Sequence, residues 1–252
     1  MLKVRLIPSL LLREGRCVKG TKFGDYRDVG YPVTAAKVYE AQGADELLFL
    51  AITASADNRE TLFDVVSDTA RQCFMPLTAG GGVRSVADIR KLLSAGADKV
   101  TVNSAAIDNP ELIRAGAREF GNQCIVLSID HQIGSSGHQE VFTNNGSIST
   151  GMSQVDWALK GQDLGAGEIL LTSIEREGLQ KGYDLETIAT VSDAVDIPVI
   201  AAGGAGTLTD LVSAVQIGHA SAVAAASLFH FTDQSVIKAH SYMRQAGIDV
   251  RM

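Results

Sequence analysis

Two clusters of glycine stand at matching places in the two halves of the sequence and could bind phosphate. The first is Gly80-Gly81-Gly82 and the second is Gly203-Gly204-Ala205-Gly206. Because glycine has no side chain, its backbone N–H groups can approach an anion closely, and a helix that follows adds the favourable end of its dipole. A single cluster of this kind could equally be a tight turn between a strand and a helix.

A short turn of small residues follows each glycine cluster. These turns are Asn103-Ser104-Ala105 and Ala225-Ala226-Ser227. A glycine cluster paired with a small polar turn in both halves favours two phosphate sites, and therefore a ligand with a phosphate at each end. The residues predicted to bind substrate or phosphate are Gly82, Asn103, Ser104, Thr172, Gly178, Gly204, Ala226 and Ser227. Thr78 is also expected near this ligand.

These residues need a scaffold that brings the ends of several strands together. Runs rich in Val, Ile and Leu alternate with segments of helical period, which indicates βα units around a parallel sheet. The predicted strands are Val4–Leu10, Glu46–Ile52, Pro76–Ala79, Lys99–Asn103, Cys124–Ile129, Glu168–Thr172, Pro198–Ala201 and Ser221–Ala225. Eight such units predict a TIM-type (β/α)8 barrel of the α/β class, with its functional residues where the strands end. The alternative, an open doubly wound sheet, usually has a GxGxxG after its first strand, and this sequence has none.

An internal repeat favours the barrel over the open sheet. A shift from position 76 to position 198 places Pro76 on Pro198 and the first glycine cluster on the second. At the first strand the shift is three residues smaller and aligns Leu11 with Asp130. The sequence therefore predicts one domain over residues 1–252, built from two similar (β/α)4 halves.

The composition argues against several classes of protein. A net charge of −7 gives no basic surface for nucleic acid. The apolar runs are far shorter than the roughly 20 residues of a membrane helix, and no cleavage site follows the N-terminal run. Cys17, Cys73 and Cys124 have no metal-ligand spacing. We therefore expect a cytoplasmic protein with reduced thiols, no metal and no cofactor.

Several motifs, taken together and in order, resemble one known family over essentially the whole chain. They are Gly15-Arg16, Val18-Lys19-Gly20, Ala44-Asp45-Glu46-Leu47, Ile52-Thr53-Ala54-Ser55, Gly80-Gly81-Gly82, Gly96-Ala97-Asp98-Lys99-Val100, Gly165-Ala166-Gly167-Glu168-Ile169-Leu170-Leu171, Gly182-Tyr183-Asp184, Gly203-Gly204-Ala205-Gly206 and Phe229-His230. The sequence resembles the cyclase (HisF-type) subunit of imidazole glycerol phosphate synthase. The sister isomerase of histidine synthesis shares the half-barrel repeat but lacks this set of motifs.

The resemblance implies a lyase that works with a glutaminase subunit. The glutaminase would dock on the N-terminal face of the barrel, and ammonia would pass through the core to a bis-phosphorylated ribulosyl-aminoimidazole carboxamide ribonucleotide. The implied ammonia gate consists of Arg5, Glu46, Lys99 and Glu168, all at strand starts. The same four charges could also form an internal salt-bridge layer, and the two interpretations are compatible. Asp98 would contact the partner.

The resemblance also implies catalytic residues at the mouth of the barrel. Asp130 matches one of two aspartates that act as a general acid/base pair, and Lys19 matches a mobile loop lysine that closes over substrate. Leu11 and Ala51 stand where the family has aspartates. A positioned proton-transfer group is worth about 10² to 10⁴ in rate. The loss of an acid at position 11 is therefore expected to nearly abolish ordinary cyclisation, and the apolar Leu11 is expected to raise the pKa of Asp130.

The leading interpretation is the cyclase subunit or a close derivative of it, and three explanations of the altered rim stay open. The acids could have been replaced deliberately, the chain could process a related bis-phosphate with Asp130 alone, or it could be a non-cyclising paralogue. Such a paralogue would conduct ammonia to a sugar amidotransferase in surface polysaccharide synthesis. His131 is expected to face solvent, because neighbours on a strand point to opposite sides.

Overall fold

Eight parallel strands close into a barrel in the computed structural model, which describes residues 3–52, 56–135 and 137–251. The barrel strands are β1 (Arg5–Arg13), β4 (Leu47–Ala51), β5 (Leu77–Gly80), β6 (Lys99–Val102), β7 (Ile125–Ile133), β10 (Glu168–Ser173), β11 (Val199–Ala202) and β12 (Ala222–Ala225). Each pairs with the next in this order and β12 pairs with β1, so the β6–β7 and β12–β1 pairs join the two halves. The predicted TIM barrel is confirmed.

The helices of the described residues surround this barrel. They are α1 (Pro32–Ala41), α2 (Ala56–Ala70), α3 (Val86–Ala95), α4 (Ser104–Asp108), α5 (Glu111–Phe120), α6 (Gln154–Leu164), α7 (Leu185–Ala194), α8 (Leu208–Gln216), α9 (Ser227–His230) and α10 (Val236–Gln245). The larger apolar core lies between strands and helices, and a smaller one fills the barrel with residues such as Ile7, Val126 and Leu170. None of the helices in the described ranges is long and apolar enough to span a bilayer.

The repeat predicted from the sequence is visible in the glycine clusters. Gly81 and Gly203 have φ values of +104° and +85°, in the region that favours glycine. A β-carbon on Gly81 would overlap the carbonyl oxygen of Ala51, and one on Gly203 would stand 2.6 Å from that of Ser173. Glycine is therefore needed here for close strand packing, whatever else the clusters bind.

The helices that follow the clusters already have partners at their N-termini. The hydroxyl of Ser85 accepts a hydrogen bond from Asp88 N in α3, and Thr207 does the same for Asp210 in α8. In return, the Asp210 carboxylate accepts from the backbone N–H of Thr207 at 2.8 Å. A carboxylate thus already interacts with the dipole of each helix. Because these N-termini are already capped, we expect a phosphate at either cluster to depend mainly on the glycine amides, and the contribution of the helices stays a prediction.

Two β-hairpins, which the sequence analysis treated as loops, stand over the mouth of the barrel. The first, β2 (Arg16–Thr21) and β3 (Gly24–Gly30), continues β1. The second, β8 (Gln139–Thr143) and β9 (Ile148–Ser149), continues β7. In each half-barrel, therefore, one hairpin extends from the end of the first strand across the rim.

Candidate active site at the barrel mouth

A cavity of about 560 Å³ opens at the C-terminal ends of the strands and takes its lining from both half-barrels. Most of the residues predicted at the mouth line it: Lys19, Gly82, Asn103, Ser104, Asp130, Thr172, Gly204, Ala226 and Ser227. Of the residues implied by the resemblance at positions 52 to 55, Thr53, Ala54 and Ser55 lie outside the described residues. The predicted residues that line the cavity therefore share one concave site at the barrel mouth.

Asp130 lies at the end of β7, with 9% of its surface exposed. The Nδ2 of Asn103 donates a hydrogen bond to Asp130 Oδ2 at 2.8 Å, and the Thr172 hydroxyl donates another. Burial raises the pKa of Asp130 to about 7, and these two hydrogen bonds oppose the rise. The group can therefore both accept and release a proton near neutral pH.

Leu11 and Ala51 make one side of the cavity apolar. Both line it together with Leu48 and Leu50, on the side opposite the polar group formed by Asp130 and Asn103. Leu11 pairs with Leu50 in the barrel and with Val18 in the first hairpin, so its place is fixed by backbone hydrogen bonding. The first half-barrel therefore presents a hydrocarbon side chain where the second presents a carboxyl group.

Two stretches of backbone at the rim are suited to anions. The amides of Gly82 and Gly204 donate to no protein acceptor within the described ranges. Ser104 and Ser227 begin the short helices α4 and α9 beside them. We call the groups around Gly82 and Ser104 the first cradle, and those around Gly204 and Ser227 the second cradle. Arg84 lines the cavity next to the first cradle.

Gly178 differs from the other predicted phosphate-binding residues in its position. It is not among the residues that line the cavity. Its φ is +75°, and a β-carbon there would overlap the carbonyl oxygen of Gly20 in the first hairpin. The structure therefore places Gly178 as the point where this hairpin approaches the second half-barrel.

Lys19 is not a solvated loop lysine. It lies on β2, is 3% exposed, and its Nζ forms an ion pair with the Glu177 carboxylate. Burial lowers the pKa of Lys19 to about 8, while the Glu177 carboxylate favours the ammonium form. Lys22 N also donates to Glu177 O at 2.9 Å. Glu177, which the sequence analysis missed, thus holds the first hairpin against the second half-barrel.

The second hairpin contacts the first half-barrel in the same crosswise way. Asn144 N donates to Ser104 Oγ at 3.1 Å, and Asn145 Nδ2 donates to Ile52 O at 3.0 Å. Both asparagines line the cavity. They were also missed, although Asn-Asn-Gly between two apolar runs is a turn signal that could have revealed this hairpin.

Two expectations are wrong. His131 does point away from Asp130, but it does not face solvent: it is 1% exposed, and its Nδ1 lies 3.0 Å from Gln139 Oε1. Burial lowers its pKa. Thr78 lies at the opposite end of the barrel from the mouth, because it is only the second residue of β5. Its hydroxyl donates to Glu46 Oε1 at 2.5 Å.

At that lower end, the four residues of the expected ammonia gate form a closed ring. Arg5 lies 2.6 Å from Glu46 and 3.1 Å from Glu168. Lys99 lies 2.9 Å from Glu46 and 3.0 Å from Glu168. Each carboxylate therefore contacts both cations, and two positive and two negative charges balance.

The comparison with protein families agrees with this fold. A family model described as "Histidine biosynthesis protein" matches residues 5–235, which is nearly the whole chain. The match includes both cradles, Asp130 and the ring of charges. The family comprises TIM-barrel enzymes of histidine biosynthesis. This chain belongs to that family.

Proposed function

We propose that the chain is a cyclase-type subunit of imidazole glycerol phosphate synthase, or a close derivative. It would take ammonia from a glutaminase partner and bind a bis-phosphorylated ribulosyl-aminoimidazole carboxamide ribonucleotide. The observation that carries the proposal is the pairing of two features at opposite ends of one barrel. These are the charge ring of Arg5, Glu46, Lys99 and Glu168 below and the cavity with two cradles above.

The two ends suit the transport of ammonia. Above the ring, the barrel interior is filled by apolar side chains that include Ile7, Val126 and Leu170. An ammonium ion would lose its hydration there at a high cost in free energy, whereas neutral ammonia would not. A glutaminase docked on the lower face would place its product next to the ring. Asp98 is exposed on that face, with its carboxylate accepting from Leu77 N at 2.8 Å.

The mouth suits a ligand that carries a phosphate at each end. The free amides of Gly82 and Gly204 belong to opposite half-barrels, so one ligand could use both. Asp130 lies between the two cradles in sequence and lines the same cavity. With a pKa near 7 it could take a proton from the attacking ammonia and later return it.

A second function is favoured by Leu11. In the repeat this residue is the counterpart of Asp130, so the site lacks an acid at the symmetric position. A non-cyclising paralogue that passes ammonia to a sugar amidotransferase would need the charge ring but not a second acid. The ring is intact, and the mouth lacks the acid that Leu11 replaces.

Turnover with ammonium salt separates the two functions. The purified chain is mixed with ammonium chloride and the ribulosyl ribonucleotide, and formation of the imidazole product is followed by absorbance and chromatography. Turnover that Asp130→Asn lowers by about 10² or more supports the cyclase. No turnover by the wild type, together with turnover in Leu11→Asp, supports the conduit on a scaffold that is otherwise competent.

The matched control for Leu11→Asp is Leu11→Asn, because asparagine has nearly the same size as aspartate but cannot transfer a proton. Equal rates for the two variants would contradict a role for an acid at this position. For the ring, Glu46→Gln should reduce the reaction driven by glutamine and a glutaminase while the reaction driven by ammonium salt is kept. Loss of neither reaction would contradict the proposed gate.

A further inference from the structure

Tyr26 brings a phenol group into the cavity from the first hairpin. The residue lies on β3, is half-buried, and lines the cavity together with Leu11 and Asp130. Its ring lies on Gly20 of β2: a β-carbon at Gly20 would stand 2.8 Å from Tyr26 Cδ1. The absence of a side chain at Gly20 is therefore what lets the tyrosine turn toward the mouth.

The surroundings of Tyr26 keep its hydroxyl protonated. Burial raises the pKa of this phenol, the nearby Asp130 carboxylate raises it further, and Arg13 opposes them. A tyrosine with a raised pKa cannot act as a base at neutral pH, but it can donate a hydrogen bond. Tyr26 and Asp130 line the same cavity, so one bound ligand could contact both.

The repeat makes this phenol significant. On the second-half side of the cavity, Asp130, Asn103 and Thr172 form a connected polar group. On the first-half side, Leu11 offers no polar atom at the equivalent place. Tyr26 is held by the hairpin that continues the strand carrying Leu11. Tyr26 therefore offers a hydroxyl group on the side of the cavity where Leu11 has no polar atom.

We propose that Tyr26 is a specificity-determining residue of this site, whose hydroxyl donates a hydrogen bond to the middle of the bound ligand opposite Asp130. The inference rests on the proposed function of the cavity as a site for a bis-phosphate. It adds that the ligand carries an acceptor atom, such as a carbonyl oxygen, hydroxyl oxygen or unprotonated ring nitrogen, between its two phosphates. A ligand without such an atom would leave the phenol unpaired and bind less tightly.

The test compares Tyr26→Phe with the wild type by titration calorimetry. The probes are the ribulosyl ribonucleotide and inorganic phosphate. Loss of one neutral hydrogen bond should weaken binding of the ribonucleotide about 3- to 10-fold and leave the affinity for phosphate unchanged. The ring is kept, so the packing on Gly20 and the melting temperature should not change. Tyr31→Phe is the matched control, because Tyr31 follows the same hairpin directly, is 65% exposed and is not among the residues that line the cavity.

The outcomes are distinct. Equal affinity of Tyr26→Phe and wild type for the ribonucleotide would overturn the inference and leave the proposed function standing. An equal loss for inorganic phosphate would assign Tyr26 a structural role in the hairpin and also overturn it. If the wild type binds phosphate but not the ribonucleotide, the proposed substrate is wrong and the inference is overturned with it.

Discussion

The first half-barrel, β1 to α5, and the second, β7 to α10, place the same backbone features at the rim. Gly81 and Gly203 both have positive φ values and both lie against a carbonyl oxygen of the neighbouring strand. The side chains that face the cavity differ. The second half has Asp130, where the first has Leu11, and the first has Arg84, where the second has Gly206.

This comparison separates what the fold requires from what the ligand requires. Close packing at the glycines and capping of α3 and α8 recur, because a strand must turn into a helix in both halves. Side chains at the strand ends carry no such constraint, since they project into an open cavity. The acid–base chemistry proposed for this barrel therefore lies where the halves differ, whereas the proposed phosphate cradles recur in both halves.

The largest loss of stability should come from replacing one of the two equivalent carboxylates of the ring, Glu46 and Glu168. Glu46 is 2% exposed and accepts from Arg5, Lys99 and Thr78, whereas Glu168 is more exposed and, among the described residues, has hydrogen-bond or ion-pair contacts with Arg5 and Lys99 only. We expect Glu46→Ala to lower the free energy of unfolding by about 3–5 kcal/mol, and Glu168→Ala by less. Urea denaturation at pH 7 measures both. Equal losses would contradict the inequality between the halves.

The next largest effect is the pH dependence of stability caused by Asp130, whose counterpart in the first half is Leu11. The pKa of Asp130 is about 7 when folded, against about 3.9 for an unfolded chain. The folded state therefore holds a proton that the unfolded state releases, and stability falls as pH rises from about 4 to 7. We expect Asp130→Asn to match the wild type at pH 4 and to exceed it by roughly 2–4 kcal/mol at pH 8.

Thermal and urea unfolding across this pH range give the measurement. Leu11→Asn is the control in the other half, since it buries an amide without adding a titrating group. It should lower stability by a similar amount at both pH values. A constant difference between Asp130→Asn and wild type from pH 4 to 8 would contradict the raised pKa.

The losses in stability caused by replacing the two cradle glycines, Gly82 and Gly204, should be smaller and should differ from each other. A β-carbon at Gly204, with φ +112°, would overlap the carbonyl oxygen of Gly182, whereas Gly82 has φ +71°. Gly204→Ala should cost about 2–3 kcal/mol and Gly82→Ala about 1–2 kcal/mol. Each should also weaken binding of inorganic phosphate, followed by calorimetry. Unchanged phosphate binding in both variants would remove the support for the cradles.

The smallest difference in stability between the halves is expected for the aspartates that cap α3 and α8. The Asp210 carboxylate accepts from the backbone N–H groups of Gly206 and Thr207, while Asp88 accepts from one backbone N–H, that of Arg84, and from a hydroxyl. Loss of a cap costs about 0.5–2 kcal/mol. Asp210→Ala should therefore lower the melting temperature slightly more than Asp88→Ala. The reverse order would show that the hydroxyl contact is the stronger one.

The barrel could be predicted because its signals are local and repeated. Strand–helix alternation gave the eight strands, and the spacing of Pro76 and Pro198 gave the two halves. The first hairpin was not found because its turn residues, Lys22 and Phe23, adopt positive φ values of 49° and 62°. Such residues are not typical of this turn, so its sequence carries no recognisable signal.

Side-chain environments were harder to predict than side-chain directions. Strand alternation correctly predicted that His131 points away from Asp130, but it could not show that this face of β7 is buried. Similarly, Lys19 was found as a site residue, whereas its burial depends on Glu177, 158 positions away in the sequence. Contacts over such distances follow from the closed barrel and not from the local pattern.

The crosswise hairpins also bear on how fast a ligand could come and go. Each hairpin is tied to the opposite half-barrel, by Glu177 in one case and by Ser104 in the other. A molecule that spans the mouth would lie between these two contacts, so opening of either one would widen its path to solvent. Its residence time should therefore depend on hairpin motion as well as on the two cradles.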